Sequence, residues 1–307
     1  MTPKIIVLLL SYNGKHLLDD SVSSYLANDY PNFEVVVIDN GSTDGTMAYV
    51  REKWPEVRVL RIEKNLGYSG GFNFGLDYAF NQQQADYVLI TNNDVKADSN
   101  VITELVRVAE SDPMIGFVTG KVYYYDQPDV LQSVGKEYSD LLWNGKHIGG
   151  TEKDVGQYDG KSERCFIDDI YTLVSRKVYE DVGAYDPEFF LQCEEWDWQA
   201  RAKEKGYKIY YTPHAKIWHK ESMTIGKWGP TKAFYDARNP GIVIMKYKDA
   251  AFFRRYFWFH TKHFLLKGTL KNLLKTKFMI SYSITTGYFS MIIWGLKNKK
   301  LSLRHIF

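Results

Sequence analysis

Four stretches of this 307-residue chain carry side chains whose types and spacing suit chemistry. In "DYVLITNNDVKAD" an apolar run, 87–90, stops abruptly at Thr91, Asn92, Asn93 and Asp94, each offering oxygen. Asp94 can hold a divalent cation, because Mg²⁺ and Mn²⁺ take oxygen ligands and usually combine one or two protein carboxylates with substrate phosphates. Asn92 can hydrogen-bond a ribose or a phosphate. The plainer alternative is an Asn-Asn-Asp turn, with Ser99 capping the next helix. In "FFLQCEEWDWQARAKEKG" three acids, Glu194, Glu195 and Asp197, open a helical pattern among aromatic residues. The helix dipole alone favours acids there. A partly buried acidic pocket would also raise a carboxylate's pKa toward that of a general base working near neutral pH. Arg201, one turn after Asp197, is placed to pair with it. His219, in "AKIWHKES", follows a strand-like run; a lone histidine is more often structural than a ligand, and this one gains weight only if folding brings it to Asp94. Finally, "NLGYSGGFNFGL" spreads Gly67, Gly70, Gly71 and Gly75 across a loop-to-helix transition, where backbone N–H groups can approach an anion. Its spacing matches neither the dinucleotide fingerprint nor the P-loop.

The apolar runs show what must position these residues. Strand-like runs at 5–10, 34–38, 57–62 and 87–90 alternate with helix-like segments near 15–27, 43–53 and 70–84. That alternation predicts a parallel sheet covered on both faces. Ligands of such sheets sit beyond the carboxyl ends of the strands. The rule places Ser11-Tyr12-Asn13, Asp39-Asn40 and residues 92–94 on one rim. After residue 115 the alternation is lost: "GFVTGKVYYYD" reads as another strand, and 126–165 as polar, Gly-rich and irregular. Helix signals return at "SRKVYEDVG" and after Glu194, with Gly206 as a C-cap.

At 45% hydrophobic and 16% aromatic, the chain has ample material for a core, which excludes disorder. Its charge is uneven: 246–307 holds 13 Lys/Arg and one acid, Asp249, a net +12, against −10 for 1–245. A basic tail on an acidic body points to an anionic partner for the tail. The stretch "FMISYSITTGYFSMIIWGL", 278–296, is uncharged and flanked by lysines, close to the roughly 20 residues a membrane span needs. Its Ser, Thr and Gly content favours a helix lying at the membrane surface. The alternative is a helical subdomain packed on the body or on a second copy of the chain. The expected division is therefore a wound-sheet domain, 1–245, and a basic, aromatic-rich helical region, 246–307. Two cysteines, Cys165 and Cys193, form no C-x-x-C pattern and argue for a reducing compartment. The opening "KIIVLLLSYNG" is too short in its apolar part for a signal peptide and reads as a first strand.

Taken in order, these pieces resemble the inverting family 2 glycosyltransferases with the GT-A fold, especially their bacterial rhamnosyltransferase-like and galactofuranosyltransferase-like branch. "IIVLLLSYNGKHLLDDSVSSY" resembles the family's opening strand and helix, and "VVVIDNGSTDGT" its commonest signature. "NLGYSGGFNFGL" is similar to its N-x-G-x-x-G-G-x-N-x-G segment. "LITNNDV" is similar to the branch's form of D-x-D, "VGAYDPEFFLQCEEWDWQAR" to G-x-F-D-x-x-F-F followed by E-D-x-D and Arg, and "AFYDARN" to the Tyr-rich segment that follows. The likeness covers most of 4–250. It implies an α/β, GT-A type, Rossmann-like wound and mostly parallel sheet with helices on both faces, here with a C-terminal helical extension.

The resemblance also implies roles. Asp39 would meet the nucleotide base with Ser11 and Tyr12 beside it, and Asn65, Gly70, Gly71, Asn73, Asn93 and Arg238 would complete the nucleotide-sugar site. Asn92 would face the ribose or diphosphate. Asp94 and His219 would hold a divalent cation, Mg²⁺ or Mn²⁺, and Glu195 would be the general base within the Glu194, Glu195, Asp197 group. The donor of first choice is dTDP-rhamnose, with UDP-galactofuranose or another UDP-sugar as alternatives. The acceptor would be a cell-surface glycan or a lipid-linked oligosaccharide, in polysaccharide biosynthesis for the cell envelope. The expected setting is cytoplasmic, peripheral on the inner face of the plasma membrane through the basic region, with a homo-oligomer as the rival use of that region and no nucleic-acid partner. Two departures stand out. The usual E-D-x-D reads Glu194-Glu195-Trp196-Asp197, giving the base a longer reach. Two added acids, Asp168 and Asp169, lie near the expected acceptor site, where they would favour a polar or cationic acceptor or shift its register. A non-catalytic sugar-binding module is the rival reading, but the expected metal carboxylate and base are both present. The nucleotidyltransferase loop and the Rossmann fingerprint are absent after the first strand.

Overall fold

The computed structural model describes residues 2–220 and 229–301. The chain forms two compact units. The first is built on a ten-stranded sheet. Its opening part alternates as the apolar runs predict: β1 (Ile5–Ser11), α1 (Leu18–Leu26), β2 (Phe33–Asn40), α2 (Thr46–Lys53), β3 (Arg58–Ile62), α3 (Gly67–Asp77) and β4 (Tyr87–Asn92). Then follow β5 (Val95–Ala97), α4 (Val101–Ala109), β6 (Ile115–Tyr124), β7 (Gln127–Ser133), β8 (Lys136–Ser139), β9 (Trp143–His147), β10 (Ser162–Glu163), β11 (Tyr171–Ser175), α5 (Arg176–Val182), α6 (Glu194–Glu204) and β12 (Lys208–His219).

The order along the sheet is β10-β12-β6-β11-β4-β1-β2-β3, with β5 on β12 and β7 on β6. β3, β2, β1 and β4 are parallel neighbours. Period two assigns their side chains to opposite faces. Ile5, Val7 and Leu9 of β1 enter a core with Leu18 and Val22 of α1 and with α4. Leu8 and Leu10 face α3: a Cβ added at Gly71 would stand 2.5 Å from Leu10 Cδ1, and one at Gly75 2.4 Å from Ile38 Cδ1. Both faces are thus covered, which is why β1 is apolar at every position from Ile5 to Leu10. Each such buried Leu or Ile contributes about 1.5–3 kcal/mol.

Beyond β4 the sheet is mixed. β11 runs antiparallel to β4 and β6, and β6 turns back into β7 as a hairpin. No helix intervenes between β6 and β7, so the chain reverses direction at once, as short connections dictate. This explains the loss of alternation after residue 115.

The second unit holds α7 (Pro230–Tyr247), α8 (Ala250–His260), α9 (Lys267–Leu274) and α10 (Phe278–Lys297), together with Ser139–Trp143 and Leu191–Cys193. α7 and α10 pack closely because glycines remove side chains at the crossing. A Cβ on Gly287 would stand 2.3 Å from the Phe234 carbonyl oxygen, and one on Gly241 1.9 Å from Met291 Sδ. Asp249 caps α8 by accepting the Phe252 N–H at 2.7 Å. Buried His260 is linked through Nε2 to the Ala237 carbonyl at 2.9 Å, and burial pushes its pKa down to about 4, so it is neutral at pH 7.

Candidate active site

β1 lies between β2 and β4, so the strand order reverses beside it, where wound sheets bind ligands. The predicted rim is present: Ser11 is level with Asp39, and Leu10 with Asn92. Beyond β4 the chain turns through Asn93 and Asp94 into β5, and β5 pairs antiparallel with the end of β12, setting His219 opposite Val95. That pairing brings together two residues far apart in sequence: Asp94 Oδ1 and His219 Nε2 are 3.1 Å apart, both buried. Gln132 Oε1 lies 2.8 Å from His219 Nδ1. An amide oxygen only accepts, so Nδ1 carries a proton and Nε2, directed at the carboxylate, is the ring nitrogen placed to ligate a cation. Nε2 makes no hydrogen bond among the described residues. A buried imidazole nitrogen facing a carboxylate oxygen fits a hard divalent cation, with Gln132 fixing the ligand's tautomer from outside. Among the described residues, no three of His, Cys, Asp and Glu converge, so these two are the protein's candidate ligands.

The second cluster surrounds the start of α6, where the dipole favours acids. Glu194 is buried, and its Oε2 makes no hydrogen bond among the described residues. Burial and then the charge of Glu195 push its pKa well up. Glu195 is more open, and burial also raises it, but Lys136 pulls it back from 3.6 Å. Lys136 Nζ lies 2.7 Å from Asp168 Oδ1, and Asp168 Oδ2 meets His147 Nε2 at 3.2 Å and the Ser133 hydroxyl at 3.1 Å. Burial alone would raise Asp168; Lys136 and His147 outweigh it and hold this carboxylate well below the usual range. Asp169 behaves oppositely: burial and Glu195 raise it to about 8, so at neutral pH it is largely protonated, and the Tyr185 hydroxyl bonds to it. Gln199 of α6 grips Ile167 at both N and O, at 2.9 Å each, which fixes the two aspartates against the helix. Neither added acid therefore presents a bare charge to an acceptor. Tyr68 links the clusters. Its hydroxyl donates to the Asp169 carbonyl at 2.9 Å, and after burial the charges of Asp169, Glu194, Glu195 and Asp94 all raise its pKa.

Several predicted site residues are engaged within the fold. Asp39 is fully buried; Arg61 Nη1 reaches its Oδ2 at 2.6 Å, and the Ser42 N–H its Oδ1 at 3.0 Å. Ser11 accepts the Asn93 amide at 3.2 Å, joining the β1 end to the turn after β4. Tyr12 is exposed, and Asn92, at the end of β4, is half-buried. Asn65 Oδ1 accepts the Gly67 N–H at 2.8 Å and the Asn40 amide at 3.1 Å, shaping the turn into α3. Asn73 clamps Tyr185 at both its N–H and its carbonyl, at 3.0 and 2.9 Å. The glycines expected to admit an anion also allow close packing: a Cβ at Gly71 would meet Leu10, and one at Gly70 would meet Leu66. Asp197 is fully buried and bonded to Arg201 Nε at 2.9 Å, while Arg201 also donates to the Val182 and Ala184 carbonyls. Asp197 thus braces α6. Arg238, in the second unit, reaches Ser290 Oγ at 3.2 Å and Asn239 Oδ1 at 2.7 Å. Lys136, Gln132, Tyr68 and Tyr185 complete the clusters without having been singled out. Tyr68 stood inside the quoted glycine segment, whereas Lys136 and Gln132 lie in the polar stretch that carries no periodic signal.

The wound sheet and its switch point give the chain the GT-A fold, which solved transferases share. The mannosyltransferase PcManGT from Pyrobaculum calidifontis, solved with GDP-Man and Mn²⁺, superposes with a TM-score of 0.56 at 16% identity, over 99% of this chain and 78% of that one. GalNAc-T7, solved with UDP, GalNAc and Mn²⁺, gives 0.59 at 15% identity, over 85% and 55%. The family model for glycosyl transferase family 2 matches residues 6–183, and the chain belongs to that family of enzymes. Among curated proteins it is similar to the poly-beta-1,6-N-acetyl-D-glucosamine synthases of Staphylococcus epidermidis, 24% identical, and Staphylococcus aureus, 25% identical, each over 225 residues. The aligned part is 72% of this chain and 51% of theirs, so the chain spans about half the length of the curated relatives it matches.

Proposed function

We propose that the protein is an inverting glycosyltransferase that moves a sugar from a nucleoside-diphosphate donor to a hydroxyl of a glycan or lipid-linked acceptor. The observation that carries this reading is the pair of clusters joined through Tyr68: Asp94 with His219 on one side, Glu194 and Glu195 on the other. Burial and Glu195 push Glu194, the more deeply buried, well above the ordinary carboxylate range, whereas Lys136 offsets part of the rise at Glu195, which makes Glu195 the better base. Glu195 takes the proton of the acceptor hydroxyl while that oxygen attacks the anomeric carbon. The diphosphate leaves from the opposite face and the configuration inverts. Asp94 and His219 would hold a divalent cation, which supplies positive charge to the departing diphosphate. The Mn²⁺ in both solved neighbours supports that assignment.

The donor we favour is dTDP-rhamnose, on the motif resemblance; UDP-galactofuranose and UDP-hexoses compete, and the relatives named for an N-acetylglucosamine polymer support a role in polysaccharide synthesis. A nucleotide-sugar substrate, and two cysteines not joined to each other, fit a reducing cytoplasmic setting. The test is turnover of a panel of nucleotide sugars by the full chain, with Mn²⁺ or with chelator. One donor should turn over, Glu195→Gln should cut that turnover by roughly 10²–10⁴, and donor binding by calorimetry should survive. Binding without turnover of any donor, even with acceptor glycans added, would leave a sugar-binding module and overturn the proposal.

A further inference from the structure

α10 is apolar on two opposite sides. Ser281, Ile284, Tyr288, Met291 and Gly295 are buried, spaced as one helical face. Phe278, Tyr282, Phe289 and Ile293, separated by 4, 7 and 4 residues, form another, and that face is open to solvent. Leu270 and Leu274 of α9 are exposed as well, and the Ser281 hydroxyl bonds to the Thr269 carbonyl at 3.1 Å, tying α9 to α10. These six side chains are between 51% and 77% exposed. Soluble surfaces scatter such residues singly; six of them on two helices tied together mark a contact surface. The surrounding charge has one sign. Residues 250–301 hold ten Lys/Arg and no Asp or Glu, and Lys267, Lys271 and Lys275 run along α9 beside Leu270 and Leu274. No helix among the described residues is long and apolar enough to cross a membrane.

We propose that the α9–α10 face is a docking surface for an anionic lipid bilayer, its apolar side chains entering the headgroup region and its lysines meeting the phosphates. The charge decides between occupants. A second copy seated on the same face would set these lysines against their own counterparts, whereas an anionic bilayer complements them. This surface is independent of the sugar-transfer reading, because it contains no residue of either carboxylate cluster.

Co-sedimentation of the full chain with vesicles tests it, using phosphatidylcholine alone or mixed with phosphatidylglycerol, at low and high salt. The chain should pellet with the anionic vesicles about 10-fold or more in excess over neutral ones, and high salt should weaken this. Leu270→Ser/Leu274→Ser/Phe278→Ser should lose most of the binding with helix content unchanged by circular dichroism, since all three positions are exposed. Lys267→Gln/Lys271→Gln/Lys275→Gln should remove the preference for anionic lipid. Three results would overturn the proposal: no vesicle binding by the wild type at low salt; binding unchanged in both variants; or a wild-type dimer, seen by sedimentation velocity, that the serine variant dissolves while neither protein binds vesicles.

Discussion

The two units break the ordinary partition of residues in opposite directions. The sheet unit buries charge: Asp39, Asp94, Asp169, Glu194 and Asp197 are all nearly inaccessible. The helical unit exposes apolar bulk along α9 and α10. Buried charge and contiguous exposed apolar surface are the two departures that carry information about function. They also differ in what stabilises them. Asp39 and Asp197 are neutralised by arginines and serve the fold, while Glu194 and Asp169 are carboxylates held by desolvation toward the neutral form. A buried acid with a matched cation is architecture; one without it is a candidate for chemistry.

The comparison is broken most severely at Glu195. Glu195→Gln should lower turnover by roughly 10²–10⁴, whereas Glu194→Gln should cost less than about 10-fold; steady-state kinetics that reverse this order would move the base to Glu194. Next comes the histidine site. Gln132→Ala frees the His219 ring, and Mn²⁺ affinity measured by calorimetry should fall about 10–100-fold with the carboxylates intact. A smaller effect is expected at Lys136. Lys136→Met removes the cation beside Glu195, so its pKa rises and the acid limb of the pH–rate profile moves to higher pH, by roughly one unit. Lys136→Arg should restore the profile, which a merely structural role would not require.

The smallest effects are on stability, and their signs separate the units. Asp169 titrates near 8 when folded against 3.8 unfolded, so the unfolded chain releases its proton first. Its contribution is full below about pH 4 and is lost as pH rises toward 8. His260 titrates near 4 when folded against 6.5 unfolded, so its contribution is full above about pH 6.5 and is lost as pH falls toward 4. Each change is on the order of a few kcal/mol. Thermal melts across pH 4–8 should show Asp169→Asn flattening the alkaline loss and His260→Gln the acid one.

Much of the sheet unit was legible in the sequence. The strands β1, β2 and β4 are buried on both faces, and continuous apolar runs betray that, while β3 at the sheet edge is only partly covered. Asp94, Glu194 and Glu195 were legible because acids interrupted runs that otherwise read as core. The roles of Asp39, Asn73 and Gly71 were less so. An Asp at a strand end or an Asn in the following helix satisfies a neighbouring backbone or side chain as readily as a ligand, and a helix Gly admits a packed side chain as readily as an anion, so only the partner distinguishes them. Lys136 was hidden because β7 to β10 are short, polar and paired irregularly, leaving no period to read. The exposed face of α10 was hidden for another reason: its sequence is apolar nearly all round, and only the packing of α7 shows which side stays uncovered.

The three-residue strand β5 has a kinetic consequence. Asp94 and His219 are separated by 125 positions, and they meet only when β12, the final strand in chain order, closes onto β5. Nothing local preassembles that contact, so its loop entropy is surrendered late in folding, after the parallel core has condensed. Competence to capture a cation should therefore appear last during refolding, lagging behind recovery of tryptophan burial, and a stopped-flow experiment reading both signals would time the closure.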